Sequence, residues 1–357
     1  MALYYAKSNE TLSTAAQIDL VLSASTIKPA TNSYSDLLNN IIYYVMVSES
    51  IIGIAGNGIS IGILRKHNLA ASSNKLLMAL CANDLIICFV VCGTGLQKFF
   101  VYFLGTINYV LMVSVTNVIS LVCTLVFTLI LPISLILTTT ISLERFVAVY
   151  FPFHVSRIMT SERVTGLIFA IYVSFCILSS PSILRNGLFL EYSSAYNTTV
   201  IFVRFSDYYL TNRVFIDTYL VKVLGNTIIS VCLSVIFLST VTIIVKVVWR
   251  KLDEVPGQGM KKKNINQHKV IKMLTTVCSV TFVTYLAGQS VYNVRALFPD
   301  EIFNSLTGDI FLSAYRLLMH VNASANFIIY ICMSKKFRVE FLSVLLYLPK
   351  IVFRSKE

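Results

Sequence analysis

The sequence predicts an all-α membrane protein: a seven-transmembrane helix bundle with a short amphipathic helix after the seventh span. Composition is the first observation behind this. Apolar residues make up 56% of the 357-residue chain and charged residues only 13%, against about 45–50% and about 25% in soluble domains. The mean hydropathy of +0.75 agrees. Second, seven apolar stretches reach the roughly 20 residues that a helix needs to cross the hydrocarbon. Third, Lys and Arg gather in the segments that emerge on one side of those stretches.

The seven stretches are residues 38–64, 76–103, 117–150, 164–184, 217–248, 270–297 and 310–332, set off by polar or turn-rich breaks. Residues 1–37 precede the bundle, and 333–357 form the amphipathic helix and a short tail. The third stretch is long enough to require a tilt or a protruding end. Residues 104–116 are apolar as well, which blurs the boundary between the second and third spans.

Basic residues set the orientation. With the N-terminus outside, Arg65, Lys66 and Lys75 fall in or beside the first inner loop, and Arg145, Arg157 and Arg163 in or beside the second. The third inner loop and its flanks carry Lys246, Arg250, Lys251, Lys261, Lys262, Lys263, Lys269 and Lys272, and the tail adds Lys335, Lys336, Arg338, Lys350, Arg354 and Lys356. These are 20 of the chain's 29 Lys and Arg. The net charge of +12 is therefore inner-leaflet charge, and no nucleic-acid partner is expected. Sequons at Asn9 and Asn197 fall on the outer side in this arrangement. Residues 1–36 show no basic start, compact apolar core and cleavage site, so the first span is expected to act as signal anchor. The predicted location is the plasma membrane, multi-pass, with the lipid bilayer as surroundings.

All eight cysteines lie in apolar stretches, which favours buried thiols over disulfides. Metalloprotease, Cys-x-x-Cys, phosphate-loop and serine-elbow signatures are missing and the four histidines are scattered, so no enzyme is expected.

Polar residues at membrane depth are costly and usually functional. Here they are Asn57, Asp84, Ser134, Arg145, Asn322, Asn326 and Tyr330. Gly56-Asn57-Gly58 in the first span and Asn74, Leu80 and Asp84 in the second follow one pattern. Leu143-Glu144-Arg145-Phe146 with Ala148-Val149 and Pro152 ends the third, and Asn322 to Asn326-Phe327-Ile328-Ile329-Tyr330 closes the seventh. In these motifs, in order and at matching spacings, the chain resembles the rhodopsin-like (class A) G-protein-coupled receptors. Within that group the sixth and seventh spans look most like the chemosensory-type receptors of gastropod molluscs and their peptide-receptor relatives. The text carrying this is His268-Lys269-Val270-Ile271-Lys272-Met273, Tyr285-Leu286-Ala287-Gly288 and the run from Asn326 to Phe337.

The resemblance implies a receptor that binds an extracellular ligand, a chemosensory small molecule or a peptide, and activates a heterotrimeric G protein. A seven-helix ligand-gated channel or transporter is the alternative. Glu144, Arg145, Pro152, Asn326 and Tyr330 take the roles of the activation switch; the bland readings are a snorkelling Arg145 and a merely packed Tyr330. Asp84, Ser134, Asn322 and Asn326 match the family's sodium pocket, with a protonated Asp84 held by the asparagines as the other reading. No other cofactor is implied. Ligand-facing positions are Lys98, Phe127, Lys222, Tyr285, Gln289, Tyr292, Arg295, Arg316 and His320. Phe127 disfavours an amine ligand, and the cations suit an anionic group. Arg316 has an internal partner, Glu49, as its alternative.

Departures from the family pattern are equally legible. Thr284-Tyr285-Leu286-Ala287 stands where the sixth span normally has its tryptophan and proline, and Phe327 replaces the seventh-span proline. The fifth span has no proline, while the third has Pro132. Residues 185–216 hold no cysteine, so the usual disulfide to the third span is not expected and the outer surface is left to packing.

Overall fold

Inside hydrocarbon a backbone N–H or C=O finds no water, so a spanning segment has to bond to itself, and the helix does this. The structure, a computed structural model, describes residues 33–66, 72–107, 109–193, 197–252, 262–297, 305–335 and 337–343. The long helices are α1 (Ser33–Lys66), α2 (Ser72–Ile107), α3 (Tyr109–Tyr150), α5 (Ser161–Leu178), α8 (Ile229–Leu252), α9 (Lys262–Leu297) and α10 (Ser305–Met333). The short helices are α4 (Pro152–Ile158), α6 (Ser180–Ile183), α7 (Asp207–Thr218) and α11 (Phe337–Ser343). A π-helical segment, Tyr219–Ile228, joins α7 to α8, so the fifth span runs from Asp207 to Leu252.

Six spans are long and apolar enough to cross a membrane by themselves, and α10 reaches that standard together with α11, which leaves it at 101°. The lower hydropathy of α10 comes from Arg316, His320, Asn322 and Asn326. Around the bundle α1 packs on α2, α2 on α3, α3 on α8, α8 on α9, α9 on α10, and α10 back on α1. The fourth span, α5, lies outside this ring against α2 and α3. The end of the bundle where α1 begins is called upper below.

Local chemistry explains the boundaries. Pro152 sits at the first turn of α4, where its missing N–H costs nothing. Thr160 and Ser206 cap α5 and α7, accepting from the backbone N–H of Arg163 and Tyr209. In α3, Thr138, Thr139 and Thr140 each donate to the carbonyl four residues back, so three hydroxyls sit in the membrane with their protons satisfied. At 42 residues α3 is about 63 Å long. That is twice the roughly 30 Å of hydrocarbon, so it extends beyond the bilayer. The blurred boundary resolves with α2 ending at Ile107 and α3 starting at Tyr109.

One feature lies outside the helical expectation. Residues Asn186–Ser193 (β1) and Thr198–Phe205 (β2) form an antiparallel hairpin at the upper end, with Asn186 opposite Phe205 and Ser193 opposite Thr198. Asn197, exposed in its turn, has φ of 49°, a left-handed conformation that asparagine tolerates. The thiols also differ from expectation. Cys81, Cys88, Cys232 and Cys278 are buried and Cys92 and Cys123 partly so, whereas Cys176 and Cys332 are exposed, and all eight are free. A thiol is a small, weakly polar group, so the membrane-facing surface of a span tolerates it as readily as the core.

Close approach of α1 to α10 depends on Gly56. A Cβ there would lie 2.4 Å from the Phe327 ring, which also meets Phe341 and Phe337 of α11 at centroid distances of 5.5 and 6.3 Å. Gly56→Leu is therefore expected to cost about 1–3 kcal/mol by overpacking, read as a lower melting temperature of the purified protein. Combining it with Phe327→Ala should restore most of the loss.

Candidate functional site

At mid-depth the fully buried Asp84 accepts from Ser134 Oγ on α3 through Oδ1 and from Asn326 Nδ2 on α10 through Oδ2, both at 2.7 Å. A carboxylate at this depth needs such donors, a proton or a cation. Asn57 Nδ2 on α1 donates to the Ala323 carbonyl at 2.9 Å. Asn322, one turn above Asn326, is turned to α9, where Thr281 Oγ1 donates to its Oδ1 at 2.8 Å. Asn57 Oδ1 and Asn326 Oδ1 are buried without a hydrogen-bond partner. Asn326 Oδ1, on the amide that bonds Asp84, is a spare acceptor near the Asp84 and Ser134 oxygens, and oxygen donors are what a hard cation takes.

Alongside, α3 is gripped just above Pro132 by side chains of two neighbouring helices. Asn83 Nδ2 donates to the Ile130 carbonyl at 3.0 Å, and Asn83 Oδ1 in turn accepts from Tyr172 on α5 at 3.3 Å. Tyr285 Oη on α9 donates to the Leu131 carbonyl at 3.1 Å.

Higher still, the rings of Phe127 and His320 meet at 5.5 Å, and His320 Nδ1 is buried without a hydrogen-bond partner. Gln289 Nε2 donates to Asn226 Oδ1 in the π segment at 2.6 Å, linking the sixth span to the fifth. Lys222 and Arg316 are exposed. Glu49 Oε2 is buried without a hydrogen-bond partner. The Glu49 carbonyl lies level with Ser324, whose hydroxyl donates to it at 3.3 Å. The side chains of Lys98, Tyr292 and Arg295 lie outside the described residues, as does Asn9.

The hairpin is fastened to the upper end of α3. Asn117 Nδ2 donates to the Ile201 carbonyl at 2.9 Å, and the Ile201 N–H donates to Ser114 Oγ at 3.2 Å. Both backbone groups of one β2 residue are thus held by α3 side chains. Arg204 pairs with Glu191 across the strands at 2.6 Å and covers the Phe189 ring.

At the lower end Arg145 and Glu144 form a close ion pair, 2.7 Å apart, with 11% and 4% of their side chains exposed. Ser73 Oγ donates to Glu144 Oε1 at 2.7 Å and Ser72 Oγ at 3.3 Å, anchoring the pair to the first turn of α2. Arg145 also contacts Ser73. Tyr330 is buried, its ring 5.7 Å from Phe337 and its hydroxyl without a hydrogen-bond partner. Pro152 opens α4, on which Phe153 is 91% exposed.

Several of these residues escaped the sequence reading. Asn83 carried a usable signal, being a second polar residue at membrane depth beside Asp84. Ser72, Ser73, Ser114, Asn117 and Asn226 sit near helix ends or in the upper halves, where polar residues are ordinary.

Seven spans around a buried polar layer, with a closed Glu–Arg pair at one end, define a polytopic membrane protein of receptor architecture. Residues 57–330 match the family model of the seven-transmembrane receptors of the rhodopsin family, and the chain belongs to that family. Its members are receptors, not enzymes, and couple to G proteins in a membrane setting. Comparison with curated proteins gave no match.

With all eight thiols free, the upper face is held by the Ile201 clasp. Asn117→Ala should lower stability by about 1–3 kcal/mol, since it strands a carbonyl on β2. Reductant should leave the melting temperature of the unmodified protein unchanged. A fall of the melting temperature in dithiothreitol would contradict the arrangement.

Proposed function

We propose that this receptor lies in the plasma membrane with its N-terminus outside, binds its ligand between the upper halves of the spans, and promotes nucleotide exchange on a heterotrimeric G protein below. The observation carrying this reading is the closed Glu144–Arg145 pair, anchored by Ser73, at the end of α3 that leads into α4 with its almost fully exposed Phe153. A buried guanidinium with a single adjacent carboxylate is a resting latch. Opening it frees a cation at the inner surface, and Phe153 offers an apolar contact that water does not stabilise. Coupling is by population shift: the agonist binds the open bundle more tightly than the closed one. Asn326 and Tyr330 complete the switch, the Tyr330 hydroxyl gaining a partner when the lower ends rearrange.

The ligand we infer is a chemosensory small molecule or a peptide carrying an anionic group. The exposed Lys222 and Arg316 on the upper halves support this, with Phe127, Tyr285, Gln289 and His320 below them as an aromatic and polar floor. Lys98, Tyr292 and Arg295 complete the proposed ligand set. Asn197, exposed in the hairpin turn, suits a glycan on the outer side, and Asn9 is the second proposed acceptor.

Nucleotide exchange measured in nanodiscs against acidic metabolites and peptide extracts tests the reading. Agonist-driven exchange should vanish in Arg145→Ala and fall about tenfold or more in Phe153→Ala. Arg316→Glu should lose the response to acidic agonists at normal surface expression, and Glu144→Gln should raise basal exchange. Ligand-evoked current that survives Arg145→Ala and G-protein blockade would instead establish a channel.

For the Asp84 pocket we propose a sodium ion held by Asp84, Ser134 and Asn326, with Asn322 one turn above. It would supply a positive charge to the buried carboxylate and stabilise the resting bundle. Replacing choline chloride with sodium chloride should then lower basal exchange in the unmodified receptor and not in Asp84→Asn. Equal exchange in both salts would leave Asp84 held by hydrogen bonds alone.

A further inference from the structure

Pro132 is the only proline inside a spanning helix among the described residues. Proline donates no hydrogen bond and its ring crowds the carbonyl four residues back. The Thr128 carbonyl therefore receives no N–H from the ladder of α3, which otherwise runs as one helix from Tyr109 to Tyr150, and Pro132 marks off an upper arm, residues 109–131, from a lower arm, residues 132–150.

The two arms are held differently. The lower arm is fixed to α2 at two heights, by Ser134 on Asp84 and by Glu144 on Ser73. The upper arm carries the hairpin at its far end through Ser114 and Asn117, and carries Phe127 against His320. Immediately above the break, two side chains from opposite sides hold consecutive carbonyls: Asn83 of α2 on Ile130 and Tyr285 of α9 on Leu131. Asn83 and Tyr285 are 0% and 1% exposed, so water does not compete for either bond.

We propose that the third span is the moving element of this receptor. Its upper arm swings about Pro132, with Asn83 and Tyr285 as the positioning residues that hold it in the resting position. A load on the hairpin or on Phe127 is a load on the upper arm. When the arm moves, the Ile130 and Leu131 carbonyls leave their partners, and the displacement reaches Ser134, two residues beyond the hinge, and through it Asp84. Such an element has two discrete arrangements because the bonds at the hinge are either made or broken. Its role in signalling rests on the receptor activity proposed above; the hinge itself does not.

Pulsed spin-label distances test it without a ligand. Labels are placed at Val122→Cys on the upper arm and Val45→Cys on α1, in a background of Cys176→Ser and Cys332→Ser, and the receptor is held in nanodiscs. Asn83→Leu and Tyr285→Phe should each raise a second, displaced distance about fivefold, the effect of losing one neutral hydrogen bond on a two-state equilibrium. Adding Pro132→Ala to either variant should remove that second distance. Tyr285→Phe keeps the ring, and Pro132→Ala favours the helix, so misfolding does not mask the comparison. A single unchanged distance in both variants overturns the proposal. So does a second distance that persists with Pro132→Ala. Basal nucleotide exchange on the same variants reports signalling separately: a distance change with flat exchange sinks the G-protein reading and leaves the hinge standing.

Discussion

One carboxylate organises this bundle. Asp84 is fully buried in the membrane interior, so its oxygens need partners, and donors from two other helices meet both of them. Ser134 brings α3 to it and Asn326 brings α10. The demand for satisfied polar groups then spreads sideways: Asn57 ties α1 to the Ala323 carbonyl, Thr281 ties α9 to Asn322, and Asn83, beside Asp84, draws in Tyr172 of α5. Six of the seven spans meet in this polar layer. Between lipid tails there is little hydrophobic force to hold helices together, because chain and solvent are equally apolar. Directional bonds in a thin layer supply the register that packing alone leaves loose.

Most of the architecture was legible because a membrane imposes a coarse and redundant code. A span needs length and apolarity, and the side on which Lys and Arg collect sets direction; single errors do not disturb either. Boundaries were less legible where the code is silent. Residues 104–116 are apolar through the end of α2 and the start of α3, so hydropathy does not mark where one helix ends. The hairpin was missed for a related reason: β1 and β2 are amphipathic segments beyond the spans, and their pairing depends on an α3 that extends far enough to receive Ile201.

The site divides along the same line. Asp84 and Arg145 stood out because a charge at membrane depth is rare. Residues that act on backbone carbonyls, Asn83 and Tyr285 among them, reveal themselves only when the neighbouring helix is in place, since a carbonyl leaves no trace in the sequence.

The π segment from Tyr219 to Ile228 has a consequence for any comparison of this chain with its relatives. A π turn closes over one residue more than an α turn, so each residue in it advances the helix face by less. Above the segment, the faces of α7 are therefore rotated relative to those that an uninterrupted helix would extend upward from α8. Residue correspondences for the fifth span that hold below Ile229 slip out of phase above Tyr219. Against a relative whose fifth span is an uninterrupted α-helix, a position matched by counting through the segment lands on a different face. Correspondence across that stretch has to be taken from geometry, helix half by helix half.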